Sequence, residues 1–352
     1  MLSALKQNEE LVSCFEEMYP STESYWRAVI LFGANAASYK FALAKALLDL
    51  ASKETTFIKL DDLALPFALN VVQHIKQVDK QGQRPTGPFL DACRKYTRGE
   101  IDANALRDVS IRYGFLNVID AFHVVNGGVL PVNFFEDQRQ QRQGLVITDT
   151  LLTLKSSHQF SNLPIEVEAR WRLVETAWEL NVSRNLLRID NDESSDYLFT
   201  IFNGRRKAIT SSRDALNGYQ KGKCFYCFSD ITIVPKSDSI ADVDHFFAWS
   251  LSRDRDLTQN WNGIWNLVLA CASCNRGPQG KWAFIPHLRY LERLERRNNF
   301  LINSHHPLRE TLISQTGATE NQRASFLQQR YNEASNALIH HWTATNENAP
   351  AF

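Results

Sequence analysis

Trp265-Asn266-Leu267-Val268-Leu269-Ala270-Cys271-Ala272-Ser273-Cys274-Asn275-Arg276-Gly277 holds a Cys-x-x-Cys pair, Cys271 and Cys274. The same spacing recurs upstream at Cys224 and Cys227, so four of the six cysteines form two close pairs. Thiolates suit a borderline-soft cation, and four of them fill a tetrahedral zinc without leaving a position open for chemistry. Such a site is structural, because it pins loops that a small domain would not otherwise order. Cys14 and Cys93 stand alone in helix-like stretches and read as buried thiols. The first ten residues lack the basic-then-apolar order of a signal peptide, so a cytoplasmic location is expected, where paired cysteines are metal ligands and not a disulfide framework.

Between the two pairs lie 43 residues, more than a plain zinc ribbon needs. That interval holds Asp242-Val243-Asp244-His245-Phe246-Phe247-Ala248-Trp249-Ser250. An Asp-His pair inside a four-cysteine frame, with Asn266 ahead of the second Cys-x-x-Cys and Asn275 directly after it, resembles the HNH endonuclease family, the ββα-metal nucleases. The resemblance spans about residues 218–285. It implies a zinc-stabilised, treble-clef-like domain that hydrolyses DNA phosphodiester bonds and leaves 5′-phosphate and 3′-hydroxyl ends. It assigns His245 as general base and Asp244 and Asn275 as oxygen ligands of a catalytic Mg2+ or Mn2+. Asn266 would hold the loop and orient the base. These residue types suit phosphodiester hydrolysis, because an imidazole titrates near neutrality and oxygen donors favour hard divalent cations.

The fit has departures. The family's proline after the Asp-His pair is replaced by Ala248-Trp249-Ser250. Its compact Asn-Arg-x-Lys ending is stretched to Asn275-Arg276-Gly277-Pro278-Gln279-Gly280-Lys281, which leaves open whether Lys281 reaches a phosphate. Asp242 shares a strand face with Asp244 and is either an assistant to the metal or a solvent-facing turn acid. Arg289, Arg293, Arg296 and Arg297 cluster on one expected helix, as phosphate contacts or as part of a solvated face. The pairs His305-His306 and His340-His341 read as surface residues.

Further out, the chain has 352 residues, 39 Lys+Arg and 39 Asp+Glu. The balance hides an asymmetry: residues 201–300 carry 15 basic and 9 acidic side chains, as a module facing nucleic acid would. No window approaches the roughly 18 apolar residues of a membrane span. The fold class expected is α+β. Residues 1–203 form a mainly helical regulatory or partner- or DNA-binding domain, 204–300 the nuclease domain and 301–352 a C-terminal helical extension. Helices are expected from Pro20 to about Asp49, Leu60–Gln77 with Pro66 as a kink or late start, Gly87–Lys95, Ala103–Tyr113, Asn117–Val125, Leu163–Leu180 and Pro286–Arg297. A last one carries the stripe Leu327, Tyr331, Ala334, Leu338 and Trp342. Strands are expected at Leu186–Ile189 and Tyr197–Phe202 around the polar turn 191–196. Standalone HNH proteins with a helical N-terminal region resemble effectors of bacterial anti-phage systems such as Zorya and Septu, so DNA and other defence subunits are the partners expected. The competing reading is a zinc-stabilised DNA- or protein-binding module with an inactive HNH-like core.

Overall fold

The computed structural model describes residues 21–33, 37–51, 56–125, 127–180, 189–192, 197–202, 205–253, 261–304 and 306–352. Cys14, most of the segment Leu186–Ile189, most of the turn 191–196 and the expected boundary at 203–204 lie outside them. The described chain divides into two compact units, one within residues 19–182 and one within residues 183–352. The division therefore falls before the strands that precede the cysteines. No helix among the described residues is long and apolar enough to cross a membrane.

In the first unit α1 (Thr22–Phe32) opens with Ser21 as N-cap, its side chain accepting the Ser24 amide at 3.2 Å. The single run expected to Asp49 is two helices, α1 and α2 (Tyr39–Ala51). β1 (Phe57–Lys59) leads into α3 (Leu60–Ile75), whose first turn carries Asp61 and Asp62, as the helix dipole favours. Pro66 sits inside α3 and marks no late start. After α4 (Pro88–Thr97) and α5 (Ala103–Val109), residues 110–114 form a π-turn, and the stretch expected as a helix from Asn117 is turns. β2 (Phe135–Gln138) and β3 (Gly144–Ile147) pair antiparallel, and β3 also pairs with β1. α6 (Asp149–Lys155) and α7 (Leu163–Glu179) complete the unit.

The expected apolar stripe of α7, Val167, Trp171, Val174 and Trp178, is buried, but so are Glu166, Arg170 and Glu175. Glu166 and Glu175 stay inside because they are paired, and Arg170 donates to the Leu31 carbonyl at 2.9 Å. Arg27 grips Glu166 with two 2.8 Å hydrogen bonds. The ring of His74 lies flat on Trp171 at 3.5 Å, with Nδ1 2.7 Å from Glu175 and Nε2 3.2 Å from Glu168. Cys93 is buried as expected, and burial pushes its thiol up to about 12.

The second unit begins with the antiparallel sheet β4 (Asp190–Asp192), β5 (Tyr197–Phe202) and β6 (Arg205–Ser211), followed by α8 (Ser212–Gln220). β7 (Asp242–His245) pairs antiparallel with β8 (Leu267–Ala270), setting His245 opposite Leu267 and Asp244 opposite Val268. The five-residue helix α9 (Ala272–Arg276) follows directly. β9 (Ile285–Pro286), α10 (Leu288–Asn303), α11 (Arg309–Thr316) and α12 (Glu320–Ala337) come next, α12 opening with a Thr319/Gln322 capping box. The last expected helix stops at Ala337, and Trp342 belongs instead to β10 (His341–Trp342), which runs parallel to β9. The C-terminal segment is thus part of this unit's core and not an extension: Trp342 meets Tyr226 edge-on, and Phe352 packs on Phe228. His340 and His341 are exposed as expected, whereas His306 is buried and its Nδ1 accepts the Leu308 amide.

Candidate metal centre and adjoining strand pair

Two knuckles bring the cysteines together. In the first, the Phe228 amide donates to the Cys224 carbonyl, and Phe228 takes a left-handed conformation (φ 57°) to close the turn. In the second, Cys271 caps α9 and the Asn275 amide donates to its carbonyl. The strand β8 joins them, because the Phe225 amide donates to the Leu269 carbonyl at 2.8 Å. The four Sγ atoms lie within 4.8 Å of one another. A tetrahedral zinc with Zn–S bonds of about 2.3 Å holds its sulfurs about 3.8 Å apart. Cys227 and Cys271 stand at 3.8 Å, so the donor set fits the ion.

The electrostatics agree with a cation. Donation from Cys224, Cys271 and Cys274 holds Cys227 well below the usual range, and donation from Cys224 and Cys274 holds Cys271 down to about 7, while burial pushes Cys224 up and its bonds to the other thiols push Cys274 up. The thiolate is the ligand, so a bound metal would replace the thiol protons of the cluster. The C-terminal tail supports the shell: Asn348 donates its amide to the Cys227 carbonyl at 2.9 Å.

Beside the knuckles, the strand pair distributes the expected site residues. His245 is half-buried, with Nε2 2.7 Å from the Asn262 side-chain oxygen. That oxygen only accepts, so Nε2 is the donor, which in the neutral ring leaves the lone pair on Nδ1. Asn266 is fully buried and clamps the loop after His245: Oδ1 accepts the Phe247 amide, and Nδ2 donates to the carbonyls of Phe247 and Trp261. Asp244 is buried, and both its oxygens are engaged, one by the Tyr226 hydroxyl at 2.7 Å and one by Lys281 Nζ at 3.2 Å. Burial raises its pKa, and the Lys281 charge opposes the rise.

Asn275 bonds elsewhere, donating to Asp242 at 3.1 Å. Asp242 also takes Arg276 at 2.8 Å, so it is a strand residue tied to α9 and not a turn acid. The structure therefore joins Asn275 to Asp242, and Asp244 to Tyr226 and Lys281. Asp244 and Asn275 are thus held by different partners and share none. Lys281 itself is fully buried and also donates to the His245 carbonyl, so it faces no phosphate.

Arg293 and Arg297, expected as phosphate contacts or as a solvated face, are neither. Arg293 reaches the carbonyls of Phe225 and Tyr226, and Arg297 those of Trp265 and Leu267. They satisfy backbone that the knuckles and β8 leave open. Sequence reading missed Tyr226, Asn262 and Gln220, whose amide bonds both the Leu269 amide and its carbonyl. Tyr226 lies within the first Cys-x-x-Cys, which was the available signal; Asn262 and Gln220 carried none. A scan against protein-family models and searches of the curated proteins and of the solved structures return no match to this chain.

Proposed function

We propose that this protein is an HNH-type endonuclease that hydrolyses DNA phosphodiester bonds around a zinc-pinned ββα core. One observation carries the reading: the half-buried His245 ends a strand paired beside the four-cysteine cluster, its Nε2 held by Asn262 and its loop clamped by Asn266. Cys224, Cys227, Cys271 and Cys274 hold the zinc, which orders the knuckles and takes no part in bond cleavage.

In this mechanism Nδ1 of His245 takes a proton from water, and Asn262 steadies the imidazolium that forms. The water oxygen attacks phosphorus in line with the 3′-oxygen, which leaves with a proton from solvent and gives 5′-phosphate and 3′-hydroxyl ends. Arg276 and Trp282, both exposed, offer a guanidinium for phosphate and an indole for base stacking. The family resemblance assigns Mg2+ or Mn2+ to Asp244 and Asn275, and the buried Asp244–Lys281 pair gives that assignment no support. The same pair favours a second reading, a zinc-stabilised binding module with an inactive core. On the first reading DNA is the substrate, and other subunits of a bacterial anti-phage system are the partners.

Supercoiled plasmid separates the two readings. Incubated with Mg2+, with Mn2+ and with chelator, the wild type is expected to nick in at least one metal. His245→Ala should lower the rate about 100- to 10,000-fold, the worth of a general base. Equal nicking by both proteins overturns the enzyme; DNA binding without nicking establishes the binding module.

A further inference from the structure

The unit of residues 19–182 contains a cavity of about 520 Å³, bounded among others by Tyr39, Lys40, Arg84, Leu90, Asn117 and Ala121. Sites for small ligands fall in this range of size. Lys40 is only 5% exposed, and its Nζ donates to a single backbone carbonyl, that of Val124, at 3.1 Å. Among the described residues no carboxylate pairs with it. Burial holds its ammonium down to about 8, and no opposing charge lifts it. His123, which faces the same ammonium, is held down to about 4 by burial and by the Lys40 charge, and so brings no compensating anion. Gly33 lies against the amine: a Cβ there would stand 2.7 Å from Nζ. Arg84 is exposed and adds a second cation to the lining.

An ammonium has three protons to donate, and an unpaired buried charge destabilises the empty protein. A bound anion would supply what the fold withholds. We infer that this cavity binds a small phosphate-bearing ligand of mononucleotide size, its phosphate met by Lys40 and Arg84 and its remainder by Tyr39, Leu90 and Val118. The site is independent of the nuclease reading, since none of its residues belongs to the metal-centre unit.

Calorimetric titration of the full chain, without added divalent cation, tests this with AMP, ATP, pyrophosphate and adenosine. AMP or ATP is expected to bind saturably, pyrophosphate more weakly and adenosine not at all. Lys40→Met should weaken binding about 10- to 100-fold, the worth of a hydrogen bond to a charged group. Ala121→Trp should block the cavity without touching the ammonium, which keeps the test open if Lys40→Met folds poorly. His245→Ala should bind as the wild type does. No binding of any phosphate probe, or unchanged binding in Ala121→Trp, overturns the proposal, as does loss of binding in His245→Ala.

Discussion

Lys281 and Lys40 are both buried, but their surroundings differ. Lys281 has a carboxylate at 3.2 Å and the carbonyls of His245 and Trp282 at 2.9 and 3.1 Å. Lys40 has one carbonyl. The first arrangement is self-sufficient: Lys281 and Tyr226 neutralise and solvate Asp244, so the end of β7 is fixed before any ligand arrives. The second lacks an anion. The fold compensates a charge where it needs rigidity, as Arg27 with Glu166 also shows, and leaves Lys40 uncompensated on the wall of a cavity.

Removing the zinc should produce the largest effect and separate the two regions. Cys271→Ser or chelation is expected to cost on the order of 10 kcal/mol in residues 183–352, because structural zinc binding is folding free energy. Hydrogen exchange should then lose protection across β7 and β8 while α2, α3 and α7 keep theirs. Full zinc content and unchanged protection in Cys271→Ser would refute the four-cysteine site.

Lys281→Met leaves Asp244 buried without its cation, an expected loss of about 3–5 kcal/mol in denaturant titration. Because burial raises the Asp244 pKa, the native state takes up a proton there more readily than the unfolded chain. The penalty should therefore shrink as pH falls through that raised value, and a pH-independent loss would mean that the pair is not the cause.

Asn266→Ala removes three side-chain hydrogen bonds from the loop after His245 and should cost about 2–3 kcal/mol. On the nuclease reading it also lowers nicking while zinc content holds. A variant as stable as the wild type would show that the clamp is not needed to keep the loop.

The smallest expected effect has the opposite sign. Lys40→Met should stabilise the ligand-free protein by about 1 kcal/mol, as removal of an uncompensated buried charge does. The sign of its pH dependence follows from a folded pKa near 8 against the ordinary 10.5. Between those values the unfolded chain binds the proton and the native state does not, so wild-type stability rises with pH and the advantage of Lys40→Met narrows. His123, held down by burial, and Tyr39, pushed up by burial, stay neutral throughout. A lower unfolding temperature for Lys40→Met would make Lys40 a brace for Val124 and erase the contrast with Lys281.

Features that depend on short spacing were legible in the chain alone. Two Cys-x-x-Cys pairs pointed to one four-thiolate metal site, and the stripe of α7 pointed to a helix facing a core. The cap at Ser21 is likewise local chemistry. The destination of the charges, by contrast, was settled by the assembled fold. Arg293 and Arg297 read as phosphate contacts or as part of a solvated face because a helix wheel shows which side chains share a face but not what lies opposite; here that is the backbone of residues 225–226 and 264–267. Trp342 continued a helical stripe in sequence, yet β9 offered it a strand partner. Asp242 and Asp244 lie far in the chain from Arg276 and Lys281, and which carboxylate meets which cation depended on the register of β7 against β8 and on Tyr226 arriving from the other knuckle. Burial and pairing are set by residues far apart in sequence, whereas periodicity and motif spacing report only neighbours.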